Sequence, residues 1–464
     1  MFATNYNFKN HYMRKNALLV VLALLAGNVL IAQGRKIEFT EYDLDNGMHV
    51  ILHQDNSTPI VAVSIMYHVG SKNEDPGRTG FAHFFEHLLF EGSENVARGQ
   101  FDKYITNAGG TNNANTSNDR TFYYEILPSN QLEMGLYLES ERLMHAKIDQ
   151  VGVETQREVV KEEKRQRVDN QPYGTIFQEA VKRAYKVHPY RWTTIGSLEH
   201  LNQASLDEFM EFYNTFYVPE NATLSIAGDL DIETTKNLVA KYFSEIPRGG
   251  KEIPRPTEVE PEQTEEIRDV VFDNIQLPAV IQVYHMPAQG TQDSYALDML
   301  STLLSNGQSS RMKKALVDDK QMAVASGAFP MSSEDPGLYL TYSIANMGVN
   351  IDELEAAMDA EFDRVKNELI SEYEFQKIRN QMENNFVSAN SRIVGIAESL
   401  ANYHVYYDDA NLINTELEKY VQVTREDIQR VANKHLKPTN RVVLHYLPKS
   451  AQQKPADAEM KSDN

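Results

Sequence analysis

Residues that could form a metal site stand close together in one short segment, Gly80–Gly92. This segment reads GFAHFFEHLLFEG and is apolar between its glycines apart from His83, Glu86, His87 and Glu91. His83 and His87 are four residues apart, so on a helix they project from one face and can share an ion. Glu86 has a spacing that lets it reach a water molecule beside that ion without being a ligand. The pattern is typical of metal-dependent hydrolysis, in which a carboxylate takes a proton from the attacking water.

Two histidines at helical spacing also occur without a metal, and buried histidines are usually only hydrogen-bonded. Here, however, three ionisable groups in an apolar helix would be costly to bury without a compensating ion. The chain contains no cysteine, which excludes disulfides, cysteine-based zinc sites and a cysteine nucleophile. Any metal must therefore be held by histidine, aspartate or glutamate, and neutral imidazole favours zinc. A catalytic zinc needs one further protein ligand and an open position for water.

Composition narrows the class of protein. The chain has 464 residues, with a hydrophobic fraction of 41%, which indicates a globular protein. Its length predicts two to three domains. The formal net charge is −21, with 66 acidic against 45 basic residues, which argues against a nucleic-acid-binding protein. The charge is compatible with a basic peptide partner, although many acidic proteins use charge only for solubility.

The N-terminus has the pattern of a secretory signal. Arg14 and Lys15 precede an apolar run, Ala17–Ala32. The run has about 16 residues, which is short for a membrane span of roughly 20. We therefore predict a signal peptide over residues 1–32 that is cleaved on export, with an uncleaved anchor as the alternative. Met13 is an alternative start, because the segment before it is polar. We expect a periplasmic or otherwise exported protein.

Strand-like and helical patterns mix along the rest of the chain. Short apolar runs bounded by turn residues predict strands at 39–44, 49–53, 60–68 and 121–127. Apolar residues at helical spacing predict helices at 80–93, 131–147 and 154–167. Because strands and helices do not alternate strictly, we predict α+β domains with largely antiparallel sheets.

The two halves of the chain look like diverged copies. A capped helix, a proline stop and a strand occur at 205–227 and recur at a constant offset at 424–446. Between them lies segment 247–266, PRGGKEIPRPTEVEPEQTEE, whose proline, glycine and glutamate content predicts a linker. We therefore predict a first domain over 33–246, a second homologous domain over 267–449 and a disordered tail over 450–464.

Several motifs together resemble those of one family. They are HFFEHLLFEGS (83–93), GGTNNANTSNDRTFYYEILP (109–128), QREVVKEEKRQ (156–166), HPYRWTTIG (188–196) and FYVPENATLSIAGDLD (216–231). The chain resembles the pitrilysin/insulinase family of inverted zincins, which includes the mitochondrial processing peptidase, and most closely its bacterial members of this length; H-x-x-E-H is the inverted-zincin signature. The resemblance covers residues 37 to about 447. It implies two homologous domains, each a largely antiparallel sheet packed with helices, joined by a linker and enclosing a chamber.

The same resemblance implies roles for individual residues. In the family, a glutamate ligand lies on a helix about 75 residues beyond the second histidine, and Glu163 matches this position. Its neighbour Glu162 is expected to be solvated. The resemblance thus implies a metalloendopeptidase with one zinc per chain, bound by His83, His87 and Glu163, and with Glu86 as general base.

Two further positions follow from the resemblance. Many members carry a second glutamate near the metal, seven residues before the ligand, where this chain has Gln156. An amide can hydrogen-bond but carries no charge, so we interpret Gln156 as tuning the site. Segment 109–116 resembles the family's edge strand, which binds an extended substrate by β-augmentation. Asn113 and Ala114 match the family's Asn–Ala pair, with Asn115 beside them; a simple glycine–asparagine loop is the alternative.

The second half lacks a metal motif. Its counterpart region, Ala296–Leu304, contains no histidine or glutamate. In members with a complete site, the second domain supplies an arginine and a tyrosine that hold the substrate, and the matching positions here are Val317 and Val324. Arg311 belongs to a separate feature, which we interpret as structural. We expect a partner subunit of the same fold that supplies the Arg/Tyr pair, or a homodimer. The alternatives to a peptidase are a non-catalytic scaffold subunit and a peptide-binding module.

Overall fold

The computed structural model describes residues 36–452. The signal peptide predicted over residues 1–32 and the alternative start at Met13 lie outside the described residues, as do residues 453–464 of the predicted tail. In the described part, no helix combines the length and the apolar character that a membrane span requires. Eleven strands in this part form two sheets, and helices cover them.

The first sheet has six strands. They are β1 Thr40–Asp43, β2 His49–Gln54, β3 Ile60–Tyr67, β4 Thr111–Thr116, β5 Thr121–Pro128 and β6 Ala222–Gly228. Their order across the sheet is β1-β2-β6-β3-β5-β4, so β4 is an edge strand. Strands β3 and β6 are central and almost wholly buried, as expected for apolar runs with neighbours on both sides.

The second sheet repeats this arrangement. Its strands are β7 Ile267–Asp273, β8 Ala279–His285, β9 Ala323–Met331, β10 Leu338–Ala345 and β11 Arg441–Pro448. Their order is β7-β11-β8-β10-β9, which matches β2-β6-β3-β5-β4 strand for strand. In each sheet one pair is parallel, β2 with β6 and β7 with β11, and the other pairs are antiparallel. The prediction of two homologous α+β halves with largely antiparallel sheets is confirmed.

Helices flank both sheets. In the first half they are α1 Phe81–Leu88, α2 Phe101–Asn107, α3 Leu132–Met144, α4 Gln150–Lys164, α5 Ile176–Ala184, α6 Leu198–Gln203, α7 Leu206–Phe216 and α8 Ile232–Phe243. In the second half they are α9 Gln292–Ser305, α10 Ile351–Asn367, α11 Glu372–Ala389, α12 Ile393–Tyr407, α13 Leu412–Gln422, α14 Arg425–His435 and α15 Lys449–Gln452. The predicted tail therefore begins with a short helix.

The repeated motif folds in the same way in both halves. Helix α7 begins with a capping box between Ser205 and Glu208, and α14 begins with one between Thr424 and Asp427. In such a box each residue's side chain bonds the other's backbone N–H, which satisfies donors that the first helical turn leaves free. In each half, a 3₁₀ turn that starts at a proline then leads into a strand, β6 in the first half and β11 in the second.

Each sheet is covered partly by a helix from the other half. Helix α12 of the second half packs on β3 and β6, where Ala401 joins Met66 and Phe122 in a small apolar cluster. Helix α5 of the first half packs on β8 and β11, where Val181 belongs to the same core as Leu444. Because this exchange buries apolar surface that each half would otherwise expose, the halves depend on one another for stability.

Segment 247–266 contains no helix or strand, but it is bonded to the rest of the fold. The Glu260 carboxylate accepts hydrogen bonds from the backbone N–H groups of Lys186, Val187 and His188. The Gln263 amide donates to the Arg441 carbonyl at 2.6 Å. Residues of both halves, from the β4–β5 turn to α13, line a cavity of about 530 Å³ between the halves.

Candidate metal centre

Helix α1 is fixed by its aromatic face. Phe81 and Phe84 stack on Phe209 of α7, each with a ring-centroid distance of 4.6 Å. Phe85 stacks on Phe212 at 5.5 Å. All three α1 phenylalanines are buried. This packing sets the rotation of α1 about its axis and so the direction in which its polar residues project.

The start of α1 is also fixed. Gly80 has φ +98°, and a Cβ atom there would lie 3.0 Å from the Ile195 carbonyl oxygen, so only glycine fits without strain. The Glu74 carboxylate accepts hydrogen bonds from the N–H groups of Gly80 and Ala82, at 2.8 and 2.9 Å. These bonds satisfy donors of the first helical turn. Burial raises the pKa of Glu74 to about 8, against the opposing effect of these bonds.

Helix α4 brings the second part of the site. Asp149 caps its N-terminus by accepting a hydrogen bond from Gly152 N–H at 2.8 Å. Arg157 anchors its middle by donating to the carbonyl oxygens of Leu201 and Ala204. The helix packs against α1 and continues into a π-helical turn, Arg165–Asp169. Glu163 occupies the last α-helical turn.

The structure brings His83, His87 and Glu163 together. Glu163 Oε2 lies 3.4 Å from His83 Nε2 and 3.1 Å from His87 Nε2. One potential ligand atom from each residue lies within 4.8 Å of the other two. Among residues 36–452 this is the one group of three or more histidine, aspartate or glutamate residues that meets this distance. Glu162, by contrast, has a side chain 54% exposed and pairs with Arg165. Of the two adjacent glutamates, Glu163 therefore lies beside the histidines and Glu162 does not.

The pKa shifts of His83 and Glu163 suit the binding of a cation. The pKa of His83 is lowered to about 4, mainly by burial and secondly by the neighbouring His87. Its imidazole is therefore neutral near pH 7. The contact with His87 lowers the pKa of Glu163 despite partial burial, and Arg167 adds to this by donating to Oε1 at 2.6 Å. Glu163 Oε2 is buried and has no hydrogen-bond donor of suitable geometry.

Glu86 projects beside this group. Its Oε2 atom accepts a hydrogen bond of 2.6 Å from the hydroxyl of Thr116, the last residue of β4. Burial raises the pKa of Glu86, and the Thr116 bond is the main opposing influence. The carboxylate therefore combines a fixed position with an increased affinity for protons.

Gln156 contacts a neighbouring polar cluster. Its amide donates to Glu91 Oε1 at 2.5 Å, and the other oxygen of Glu91 pairs with Arg98. Arg98 in turn bonds Asp149, the N-cap of α4. The cluster thus connects the segment after α1 with α4.

The predicted substrate-binding residues lie on the edge strand β4. The side-chain oxygen of Asn113 accepts a hydrogen bond from Ala114 N–H at 2.9 Å. The Asn115 side chain accepts one from Arg120. Residues along β4 are alternately exposed and half-buried, as in a strand with one face toward solvent. The alternative of a simple loop is wrong for residues 111–116.

Up to residue 452, where the described part of the chain ends, the second half presents no comparable group. Its counterpart of α1 is α9, which is buried in the core of that half. Val317 packs against the same core, whereas Val324 lies on β9 and is 48% exposed. Arg311 forms a bidentate ion pair with Glu374, at 2.9 and 3.0 Å, which fits a structural role.

Two residues of the site were missed by the sequence reasoning. Thr116 belongs to the GGTNNANT motif, and its even spacing from Ala114 places both side chains on one face of a strand. That spacing was a usable signal. Glu74 lies in a turn, and no local pattern distinguishes it from other acidic turn residues.

Comparisons with known proteins place the chain in a family. Residues 49–197 match the family model described as Insulinase (Peptidase family M16), and residues 203–382 match the model described as Peptidase M16 inactive domain. The chain is 31% identical to zinc protease PqqE of Helicobacter pylori over 92% of this chain and 97% of that protein. It is 23% identical to the mitochondrial-processing peptidase subunit beta of Lentinula edodes, over 86% of this chain and 88% of that one.

A solved structure shows the same fold. The crystal structure of a protease from Helicobacter pylori superposes with a TM-score of 0.85 and 30% sequence identity, covering 89% of this chain and all of the other. The insulinase model spans α1 and α4, and the inactive-domain model covers most of the second half. The chain therefore belongs to the insulinase family of peptidases, peptidase family M16.

Proposed function

We propose that this chain is a zinc-dependent endopeptidase that hydrolyses extended peptides or unfolded segments. The observation that carries the proposal is the convergence of His83, His87 and Glu163 on one point, with the Glu86 carboxylate beside them. Peptidase membership at the family level, and relatives named as zinc proteases, support it.

The residues fit a zinc ion. Two imidazoles and one carboxylate form a donor set that zinc prefers at catalytic sites. His83 is neutral near pH 7, and Glu163 Oε2 faces ring nitrogens while lacking a hydrogen-bond donor. Possible ligand atoms that lie this close together gain from a shared cation. When bound, zinc supplies Lewis acidity, which polarises the scissile carbonyl and lowers the pKa of water.

The chain's own residues supply proton transfer and substrate alignment. Glu86 takes a proton from the attacking water and delivers it to the leaving amine, a role that its raised pKa favours. The edge strand β4 offers backbone groups to an extended peptide, which would join the sheet as a further strand. Main-chain pairing selects extended conformation over particular side chains, which fits an endopeptidase of loose specificity. Asn113, Ala114 and Asn115 are the proposed contact residues, and Gln156 supports the site through Glu91.

We propose in addition that the chain works with a partner of the same fold in an exported compartment. Val317 and Val324 cannot donate a hydrogen bond where complete sites in the family have an Arg/Tyr pair, so another subunit would supply it. The export proposal rests on the signal-like sequence over residues 1–32. The intact group of His83, His87 and Glu163 disfavours a scaffold without catalysis, and the same holds for a module that only binds peptides.

The test measures zinc content and peptide cleavage in parent and variants. We expect about one zinc per chain, cleavage of an unstructured peptide, and loss of both on chelation. Glu163→Gln should lose stoichiometric zinc, whereas the neighbouring Glu162→Gln should keep it. A parent without bound zinc, or a Glu162→Gln variant that loses zinc while Glu163→Gln keeps it, would overturn the assignment.

A further inference from the structure

Thr116 connects the edge strand to Glu86. Side chains alternate between the faces of a strand, so Thr116 and Ala114 share one face of β4. Ala114 packs against the core of the first half, the side on which α1 lies. The Thr116 hydroxyl accordingly reaches α1 and donates to Glu86 Oε2 at 2.6 Å. Among residues 36–452 it is the one side-chain donor bonded to this carboxylate.

Both ends of this hydrogen bond are held by their surroundings. On the strand side, Ser117 N–H bonds the Arg120 carbonyl at 2.8 Å and closes the turn after β4. Thr121, opposite Thr116 in the sheet, donates to the Val69 carbonyl at 2.9 Å. On the helix side, the hydroxyl of Tyr123 donates to the Phe85 carbonyl at 3.0 Å. Strand β5 therefore ties β4 and α1 into one rigid unit.

We propose that Thr116 is a positioning residue that holds the Glu86 carboxylate in its working orientation. The bond fixes one carboxylate oxygen, so the other points in a defined direction to receive a proton. Since Thr116 also ends the strand on which the substrate would pair, one element aligns both the peptide and the base. The inference rests on the proposed function, in which Glu86 is the general base.

This role has a kinetic signature. Misplacing a catalytic group by about 1 Å can cost roughly a hundredfold in rate. Thr116→Val keeps the shape of the side chain but removes the donor, so we expect kcat to fall roughly 10- to 100-fold with KM within about twofold. Thr116→Ser restores the donor and should recover most of the parent's kcat. Both variants should keep one zinc per chain.

A matched control separates this effect from general damage. Thr215 on α7 also donates a side-chain hydrogen bond, to the Glu211 carbonyl, and has no part in the site. Thr215→Val should therefore leave kcat unchanged. Parent-like kcat in Thr116→Val, or an equal loss in Thr116→Ser, would refute the positioning role.

A second measurement does not depend on activity. Crystal structures of the parent, Thr116→Val and Thr116→Ser would report the position of the Glu86 carboxylate. We expect one position in the parent and the serine variant, and a displaced or divided one in the valine variant. An unmoved carboxylate in Thr116→Val would overturn the proposal even if the parent cleaves peptide. A zinc-loaded parent without cleavage would instead refute the proposed function, while the crystal structures would still decide the role of Thr116.

Discussion

Glu86 and Glu163 both lie beside His87, but their surroundings suit them to different roles. Glu163 faces imidazole nitrogens and Arg167, which lower its pKa. Glu86 bonds only a neutral hydroxyl among side chains of the described range, and burial raises its pKa. An anionic ligand and a carboxylate with higher proton affinity are what a metal site with a separate base requires. The two environments therefore agree with the proposed division of roles.

The first prediction concerns Glu86. Replacing Glu86 by glutamine removes the proton carrier and leaves the proposed ligands intact. We expect Glu86→Gln to keep about one zinc per chain and to lose roughly 10²–10⁴-fold in kcat. Metal analysis and peptide cleavage measure the two quantities. Glu158→Gln, on the exposed side of α4, is the control and should match the parent. Parent-like turnover by zinc-loaded Glu86→Gln would exclude Glu86 as the base.

The sequence sufficed for part of the site. His83, Glu86 and His87 follow from spacing on one helix, because partners within four residues are set by local geometry. Glu163 required a family resemblance, because its position depends on how α4 packs against α1. Thr116 and Glu74 were missed, since their roles come from hydrogen bonds formed only when strand, turn and helix meet.

At the scale of elements, strands were predicted better than helix ends. The strand predicted at 49–53 is His49–Gln54, and that at 121–127 is Thr121–Pro128. The helix predicted at 80–93 ends already at Leu88. The helix predicted at 154–167 begins at Gln150 and changes to a π-helical turn after Lys164. Apolar spacing locates an element, but caps and turns that depend on tertiary contacts decide where it ends.

The second prediction concerns the start of α1. Gly80→Ala places a non-glycine residue at φ +98° and a Cβ atom 3.0 Å from the Ile195 carbonyl. Gly99→Ala is the matched control, because Gly99 has φ +71° and open space around its Cβ position. We expect Gly99→Ala to lower the free energy of unfolding by roughly 1–2 kcal/mol and Gly80→Ala to lower it further. Denaturant unfolding of the metal-free protein measures both.

Zinc binding provides a second comparison for these variants. Gly80→Ala should also weaken zinc binding, because a shift at the start of α1 moves His83 relative to Glu163. Gly99→Ala should bind zinc as the parent does. Equal stability and equal zinc affinity in the two variants would show that the turn before α1 does not set the geometry of the site.

At the scale of the whole molecule, an ionic network joins the halves. Lys72 of the first half, with a side chain only 6% exposed, lies 3.1 Å from Asp119. It also contacts Glu334 and Asp335, which belong to the β9–β10 connection of the second half. His68 Nε2 lies 2.9 Å from the Glu334 carboxylate. Such a buried cation needs all of its acidic partners, so the network favours one relative placement of the halves.

The third prediction is a dependence of stability on pH. Burial opposes ionisation of Glu334, but bonds from His68 and Lys72 outweigh it and lower its pKa to about 2. For Asp335 the largest influence is a hydrogen bond from His188, which outweighs the opposing effect of burial and lowers the pKa to about 2 as well. A depressed pKa in the folded state contributes stability above the unfolded value, which is 4.5 for the glutamate. That contribution disappears as the pH falls from about 4.5 to 2.

Glu334→Gln isolates this contribution from general acid unfolding. At pH 7 we expect it to lower the free energy of unfolding by roughly 1.5–3 kcal/mol, and the difference from the parent should shrink as the pH approaches 2. Denaturant unfolding at several pH values measures this difference. Glu133→Gln removes an exposed partner of Lys241 and should change stability little at any pH. A parent–variant difference that stays constant from pH 7 to pH 2.5 would contradict the prediction.

The last prediction concerns activity of the isolated chain. Val317 is packed in the core of the second half and Val324 is an apolar residue on β9, so neither can stabilise the oxyanion of a tetrahedral intermediate. Losing one oriented donor typically costs roughly 10²–10³ in rate. We therefore expect the purified chain to cleave an unstructured peptide slowly, because zinc offsets part of this loss. A same-fold subunit from its own source, with the Arg/Tyr pair but without H-x-x-E-H, should raise kcat by a comparable factor.

Two comparisons decide between a shared site and a complete one. A partner whose arginine and tyrosine are replaced by methionine and phenylalanine should still bind but should not stimulate, because the missing donors are then absent from both subunits. The second comparison combines the intact partner with the Glu86→Gln chain. We expect no recovery of peptide cleavage, since a partner without H-x-x-E-H has no general base to offer. Stimulation by the altered partner would point to stabilisation of the chain. Full activity of the isolated chain, with no gain on addition, would mean that donors within this chain or its homodimer suffice.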